Sequence, residues 1–403
     1  MPAPTLAKPA ANGPQTSPAS SAQATPALIP FTRAARKKRR QVIQQAYTIT
    51  AAAQQLPVIQ IPANGYLKSL TLDVVATAAA NAANVAFAND APFSSLSQIT
   101  MSAANGDTLI VPVSGFTAAM QQKYGAFGNS FAFDPLADPN YSVTTGAVAA
   151  GGSFHYQITV PVEVDPRDGL CALPNMAANQ SFNLQLFAAG SGAIYTTNPT
   201  TLPPVTITVT AEYWAAPATT NAQGIPQQTS PRVRNAVSLL QSDTPAIVGG
   251  SDQTVRLINV GNTIRYLYFE LRTAAGVRTD ADWPTVFNLL VNNDLWDYKT
   301  KDNWRRQMAQ EYDLTGGVSN TPTLNHLDTG VWVYTDFMND GAQGSSVVSS
   351  SANRDLMLVT GSGTALSFEA QNWGANASQL LVITNALRIP DPTAFYAPFY
   401  LSA

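Results

Sequence analysis

The sequence predicts an all-β protein built as two tandem β-sandwiches behind a basic N-terminal arm. Three observations carry this reading. Long stretches alternate apolar and polar residues with a period of two, the layout of the second half repeats that of the first, and cations crowd the N-terminal region while acids are missing from it. A chain of 403 residues is too long for one ordinary sandwich and comfortable for two.

Residues 1–32 are rich in Pro, Ala, Ser and Thr, with almost no large apolar side chain before Leu28. Such a segment buries too little to offset its ordering entropy, so an extended arm over 1–45 is expected. Within it, Arg33, Arg36, Lys37, Lys38, Arg39 and Arg40 place six cations in eight residues. Gln41 to Tyr47 is compatible with a short helix leading into the first strand.

From 46 to 214 the pattern is mostly strand. Phe154, Tyr156, Ile158, Val160, Val162 and Val164 alternate with His155, Gln157, Thr159, Pro161 and Glu163, which means one buried and one wet face. Pro161 lacks a backbone donor and places that strand at an edge or a bulge. Val205, Ile207, Val209, Ala211 and Tyr213 repeat the pattern, as do Phe182, Leu184 and Leu186. One helix interrupts: Ser114 caps a segment with Phe116, Met120 and Tyr124 on one face, ending at Gly125.

Residues 215–232 hold three prolines and few large side chains, and read as an interdomain linker. The second domain, 233–390, follows the first in plan, with a tail at 391–403. Strands are expected across Val255–Leu271, Val331–Phe337, Leu356–Val359, Leu366–Phe368 and Leu380–Ile389, and a helix from about Lys301 to Tyr312 with Trp304 and Met308 on one face. The helices of the two halves lie about 185 residues apart, and the last strands about 175. All-β domains of this length, with long excursions between strands, fit eight-stranded jelly rolls better than immunoglobulin-like sandwiches.

Charged residues make up only 12% of the chain, which suits surfaces that pack against copies of themselves. Net charge is −3, yet the eight cations before the first acid, Asp73, leave fourteen positives against 25 acids in the remainder, a net −11. The absence of an apolar leader or long apolar run predicts a protein made in a cytoplasm and soluble until it meets a partner. One cysteine, Cys171, excludes an intrachain disulfide and reads as a small buried hydrophobe.

Candidates for chemistry are few. His155 and His326 have no second His or Cys nearby, and no nucleophile elbow, phosphate loop or dinucleotide fingerprint is present. The expectation is a non-enzyme without cofactor or metal. Asp165, Asp168, Asp280 and Asp282 read as turn chemistry, although loop carboxylates of this kind also suit calcium. Trp304, Arg305 and Arg306 are read as a buried tryptophan beside a solvated or subunit-contacting arginine pair. The Arg33–Arg40 cluster fits an anionic membrane, a nucleic-acid backbone or a nuclear-import receptor equally well.

The order of parts resembles the double jelly-roll major capsid proteins of tectivirus-like phages, whose icosahedral shell encloses a membrane. The likeness rests on Arg40-Gln-Val-Ile-Gln-Gln-Ala-Tyr47, on Val113-Ser-Gly-Phe116 opening a helix, and on Val160-Pro-Val162 followed by Asp165–Leu173 and Ser181–Phe187. In the second half it rests on Asn303-Trp-Arg-Arg306 and Gly330-Val-Trp-Val-Tyr334. The Pro/Ala-rich arm departs from the pattern. The resemblance implies homotrimers of pseudo-hexagonal outline that tile a capsid lattice, with vertex and minor capsid proteins as further partners. It implies residence in the virion capsid, with the host cytoplasm before assembly. It also implies that the N-terminus faces the inner membrane, which selects anionic lipid for Arg33–Arg40. Two rivals are weighed: an RNA-binding capsid protein of a membrane-free virus, and a secreted β-sandwich adhesin or carbohydrate binder using Trp283, Trp296 or Trp373 as platforms.

Overall fold

The computed structural model describes residues 28–77, 81–125, 136, 138–166, 168–177, 181–312, 328–337 and 357–390. In the first half the principal strands are β1 (Lys37–Thr48), β2 (Gln54–Gln55 and Ile59–Ile61, one strand in two pieces), β3 (Gly65–Ala76), β4 (Leu96–Ser102), β5 (Thr108–Val113), β6 (Phe154–Pro161), β7 (Phe182–Ala188) and β8 (Pro204–Trp214). The second half supplies β9 (Val237–Asp243), β10 (Gln253–Leu257), β11 (Thr263–Thr273), β12 (Val286–Val291), β13 (Asp294–Thr300), β14 (Val331–Tyr334), β15 (Leu366–Gln371) and β16 (Ala377–Arg388). Between the fifth and sixth strands of each half lies a helix, α1 (Gly115–Tyr124) and α2 (Lys301–Tyr312).

Pairing gives the sheets β1-β8-β3-β6 and β2-β7-β4-β5, then β9-β16-β11-β14 and β10-β15-β12-β13. Numbered within its half, each domain reads 1-8-3-6 and 2-7-4-5. Strand 1 lies beside 8, 2 beside 7, 3 beside 6 and 4 beside 5, as when one long antiparallel ribbon is wound into a roll. This is a jelly roll, made twice. All of these pairs are antiparallel.

The two rolls join at one parallel bridge, Leu240 of β9 against Ile110 of β5. Following the antiparallel pairs outward from it fixes the direction of every strand in that sheet, and the short turn from Ile61, ending β2, to Gly65, opening β3, carries it to the sheet of β1, β8 and β3. β1, β3, β9 and β11 all start at one end of the molecule, and β8 and β16 finish there. Both rolls therefore stand side by side on a common base.

Alternation works as the sequence predicts. In β6, Phe154, Tyr156, Ile158 and Val160 are buried while His155, Gln157 and Thr159 are half-exposed. Beyond Pro161 the backbone N–H groups of Val162 and Glu163 both donate to the Lys68 carbonyl, at 3.0 and 2.7 Å, so the strand ends in a bulge. Ser114 caps α1, its Oγ accepting from the Thr117 N–H at 3.0 Å. Beyond Phe116, Met120 and Tyr124, α1 also buries Ala119, Gln121 and Lys123, because it is enclosed between the rolls.

Two expectations need correction. Gln41–Tyr47 is not helical but lies inside β1, which begins at Lys37, well before residue 45. The exposed edge of β8 offers unpaired N–H and C=O groups, and pairing with them outweighs the weak local helix preference. Ahead of β1, a helical turn at Phe31–Ala34 buries Phe31 against Tyr66 and Trp214, with ring centroids at 5.1 and 6.3 Å. The 215–232 stretch is also anchored: Gln228 N–H donates to the Ile29 carbonyl at 2.9 Å, and Phe31 N–H to Gln228 Oε1 at 3.1 Å. Residues 1–27 and 391–403 lie outside the described residues.

The cores differ in chemistry. The first roll packs mainly aliphatic side chains such as Leu70, Leu72, Val74, Ile99, Ile158 and Ile207. The second is centred on aromatics: Trp283 stacks on Trp332 at 4.8 Å, and Trp304, Phe269 and Phe287 surround the pair. Trp283 and Trp373, two of the three platforms a carbohydrate binder would use, are buried here, and of the three only Trp296 is exposed.

Candidate functional site

The strongest sequence signal, the Arg33–Arg40 cluster, sits at the common base. Arg33 lies in the helical turn and Arg36 just beyond it, and the other four open β1, an edge strand with β8 as its neighbour in the sheet. Register places Lys37 opposite Trp214, Lys38 opposite Tyr213, Arg39 opposite Glu212 and Arg40 opposite Ala211. All six side chains are exposed. Arg39 pairs with Glu212, and Lys37 lies 5.3 Å from the Trp214 ring centroid. Among the described residues no carboxylate pairs with Arg33, Arg36, Lys38 or Arg40.

Below β1 the Trp214 ring is held from several sides. Lys68 Nζ sits 4.7 Å from its centroid and 3.3 Å from Glu163 Oε2, and the Trp214 indole N–H donates to the other Glu163 oxygen. Burial pushes the Glu163 carboxyl up to about 7, against the opposing pull of Lys68 and the indole bond. This knot fixes the end of β8, and with it the strand that carries the cations.

The sequence reading missed Arg232, Arg234 and Arg388, which join the base from elsewhere. Arg388 ends β16 and pairs with Asp107 at 3.3 Å. Arg234 is exposed, its Nε donating to Ser230 Oγ at 3.0 Å, and no carboxylate among the described residues pairs with it. A usable signal existed: if both rolls rise from one end, the linker must return the chain there, and Arg232 and Arg234 close that linker.

The second candidate group falls apart. Trp304 is buried within the chain, as expected, but Arg305 is buried with it, so neither side chain is exposed for a subunit contact. Trp304 Nε1 donates to the Val333 carbonyl at 2.9 Å. Arg305 pairs with Asp280, donates to the Val331 carbonyl at 3.0 Å and lies 4.0 Å over the Trp332 ring. Only Arg306 is exposed. The guanidinium is drawn inward because Asp280 waits there, its carboxyl pushed up by burial and pulled back by Arg305.

A seam of similar pairs ties the rolls together. Asp90, in the first, takes Arg278 Nε at 2.7 Å and also pairs with Arg272. Burial alone would raise the Asp90 carboxyl, but the two guanidiniums outweigh it and hold the carboxyl below its ordinary range. Arg278 stacks 4.3 Å over Phe116 of α1. Lys123 of α1 pairs with Asp328 at 3.0 Å, Tyr124 donates to Asp328, and Tyr266 of β11 donates to Gln121.

The remaining chemistry is local. Asp168 accepts from the Leu170 N–H at 3.0 Å, and Asp282 from Thr279 Oγ1 at 2.9 Å and the Asn376 N–H at 3.1 Å. His155 meets Asp73 at 2.7 Å; His326 lies outside the described residues. Among the described residues no cluster of three His, Cys, Asp or Glu side chains is arranged to hold a metal ion. Cys171 is buried.

No protein-family model matches the chain, and no curated protein does. Solved structures do match in shape. The STIV major capsid protein is similar over 90% of this chain and 99% of its own, with 12% identity and a TM-score of 0.59. The major capsid protein P2 of bacteriophage PM2 is similar over 88% and 98%, with 8% identity and a TM-score of 0.51. A chain of the PBCV-1 virus capsid is similar over 88% and 94%, with 11% identity and a TM-score of 0.52. The chain has the double jelly-roll fold of these capsid proteins, across nearly its whole length.

Proposed function

We propose that this chain is a structural shell subunit, a viral major capsid protein that works by assembly and not by catalysis. The observation that carries the reading is the pair of like rolls standing parallel on one base, joined at the β5–β9 edge. Three such chains in a ring present six like columns, a pseudo-hexagon that tiles a flat facet. A ring of three needs heterologous contacts, one face of each copy meeting a different face of the next. The low charge of the chain suits those contacts, since each charge buried there must be paired.

The common base then faces the shell interior, with its unpaired cations toward an anionic membrane. Near such a surface each cation contributes about 1 kcal/mol, screened by salt. Vertex and minor capsid proteins complete the set of partners. An RNA-binding shell remains the nearest rival, because phosphate attracts the same cations. The carbohydrate-binding reading loses ground with the burial of Trp283 and Trp373.

Replacing Arg33, Arg36, Lys37, Lys38, Arg39 and Arg40 with Gln tests the assignment. Trimers should persist, and the yield of membrane-filled particles should fall steeply. Unchanged yields of such particles would overturn the membrane part of the proposal.

A further inference from the structure

Beside the cationic strand the base opens into a cavity of about 320 Å³, small among ligand sites, which run from roughly 300 to 1,000 Å³. Its walls are mixed: Tyr66, Ala172, Pro174, Met176 and Pro231 supply apolar surface, and Thr229, Ser230, Asn235 and Arg234 supply the polar side. It lies against the cluster of Phe31, Tyr66, Ala172 and Trp214 that anchors the start of β1.

Three features make this more than a gap between loops. First, the Arg234 guanidinium is aimed. Its Nε is tied to Ser230 Oγ at 3.0 Å, which leaves the two terminal nitrogens as a fork without a carboxylate partner among the described residues. A planar fork suits the two oxygens of a phosphate. Second, apolar tips face water here: Met176, in the wall, is 53% exposed, and Leu28, outside the wall but three residues ahead of the buried Phe31, is 55% exposed. Third, the surroundings are cationic, through Arg33, Arg36 and Lys37. Phosphate recognition beside exposed apolar tips is the chemistry of a bilayer interface, where the headgroup is charged and the layer below it is not. A nucleic-acid backbone would use the cations but has no use for Met176 and Leu28.

We propose that this cavity binds the phosphate of an anionic lipid headgroup, with Arg234 as the phosphate fork and Met176 and Leu28 resting at the acyl boundary. The inference rests on the reading that the base faces a membrane. It adds a specific site to what would otherwise be a diffuse attraction. The ligand chemistry, a phosphate monoanion, is shared by a phospholipid headgroup and by free inorganic phosphate.

The experiment is flotation of the full chain with vesicles of phosphatidylglycerol in phosphatidylcholine, set against phosphatidylcholine alone, at moderate salt. Four variants are compared with wild type: Arg33→Gln, Arg234→Gln, Arg234→Lys and Met176→Ser. All three positions are exposed, and an unchanged melting temperature verifies the fold. Wild type should float with the anionic vesicles only. Arg33→Gln should weaken binding about fivefold, the weight of one cation near an anionic bilayer. Arg234→Gln should weaken it by more than tenfold, and Arg234→Lys should fail to restore it, because the charge returns without the fork. Met176→Ser should weaken it as well.

If Arg234→Lys binds like wild type, the cavity is no headgroup site, although the base still meets the membrane by charge alone. If wild type ignores anionic vesicles, the reading of the base fails together with the inference. Millimolar inorganic phosphate should leave wild-type flotation nearly unchanged; full competition would assign the cavity to free phosphate and overturn the lipid proposal. Short duplex DNA should bind Arg234→Gln and wild type alike. A loss of DNA binding without a loss of vesicle binding would likewise overturn it.

Discussion

The seam between the jelly rolls and the base beneath them use charge in opposite ways. At the seam, Asp90, Arg272, Arg278, Lys123 and Asp328 are enclosed and matched cation to acid across the two rolls. At the base, Arg33, Arg36, Lys38, Arg40 and Arg234 stand in solvent with no carboxylate partner among the described residues. The acids to match them exist, since the remainder of the chain carries a net −11. Charge is thus matched where it joins one part of the chain to another, and left open at the base, where we propose an outside anion binds.

Breaking the seam should have the largest effect. Asp90→Asn leaves two guanidiniums, one fully buried, without their shared carboxylate, and should cost about 3–5 kcal/mol in denaturant unfolding. An unchanged midpoint would mean that the seam is ornamental. Acid should loosen it too. The Asp90 carboxyl is held below its ordinary range in the folded chain, so its stabilising contribution is present above the ordinary carboxylate pKa. That contribution is lost as pH falls through the folded value.

Glu163, under the cationic strand, should show the opposite sign. Its carboxyl is raised from 4.5 to about 7, so the folded state holds the extra proton between those values. Its contribution to stability should fall as pH rises through that window, by about 3 kcal/mol at most, and level off above it. Glu163→Gln should remove that slope, read from urea midpoints at a series of pH values. The same slope in the variant would assign it to another group.

The smallest effect belongs to the base itself. Arg39 is 72% exposed, and its pair with Glu212 is the kind that contributes between nothing and about 1 kcal/mol. Arg39→Gln should barely move the melting temperature. A large drop would mean that the cations hold β1 in place and are not kept for a partner.

The duplicated plan was legible because it depends on periodicity and spacing. Phe154 to Val164 announces its buried face, and Ser114 and Gly125 bracket α1 by local chemistry alone. What stayed hidden depends on partners far along the chain. Gln41–Tyr47 reads as a short helix until β8, more than 150 residues later, offers its edge. Arg305 reads as a surface charge until Asp280 and Trp332 are seen to enclose it. At the base, the run from Arg33 to Arg40 was plain in the sequence. Arg232, Arg234 and Arg388 were not, since nothing local marks a linker and a last strand as neighbours of the first. Trp283 and Trp373 also misled as platforms, for an aromatic in a loop is exposed or buried according to what folds over it.

The most direct test of the central claim is the mass of the purified chain in solution, measured by light scattering at moderate salt through a dilution series. A shell subunit with two like rolls should give a species of three chain masses that persists on dilution. A monomer at every concentration would contradict the account.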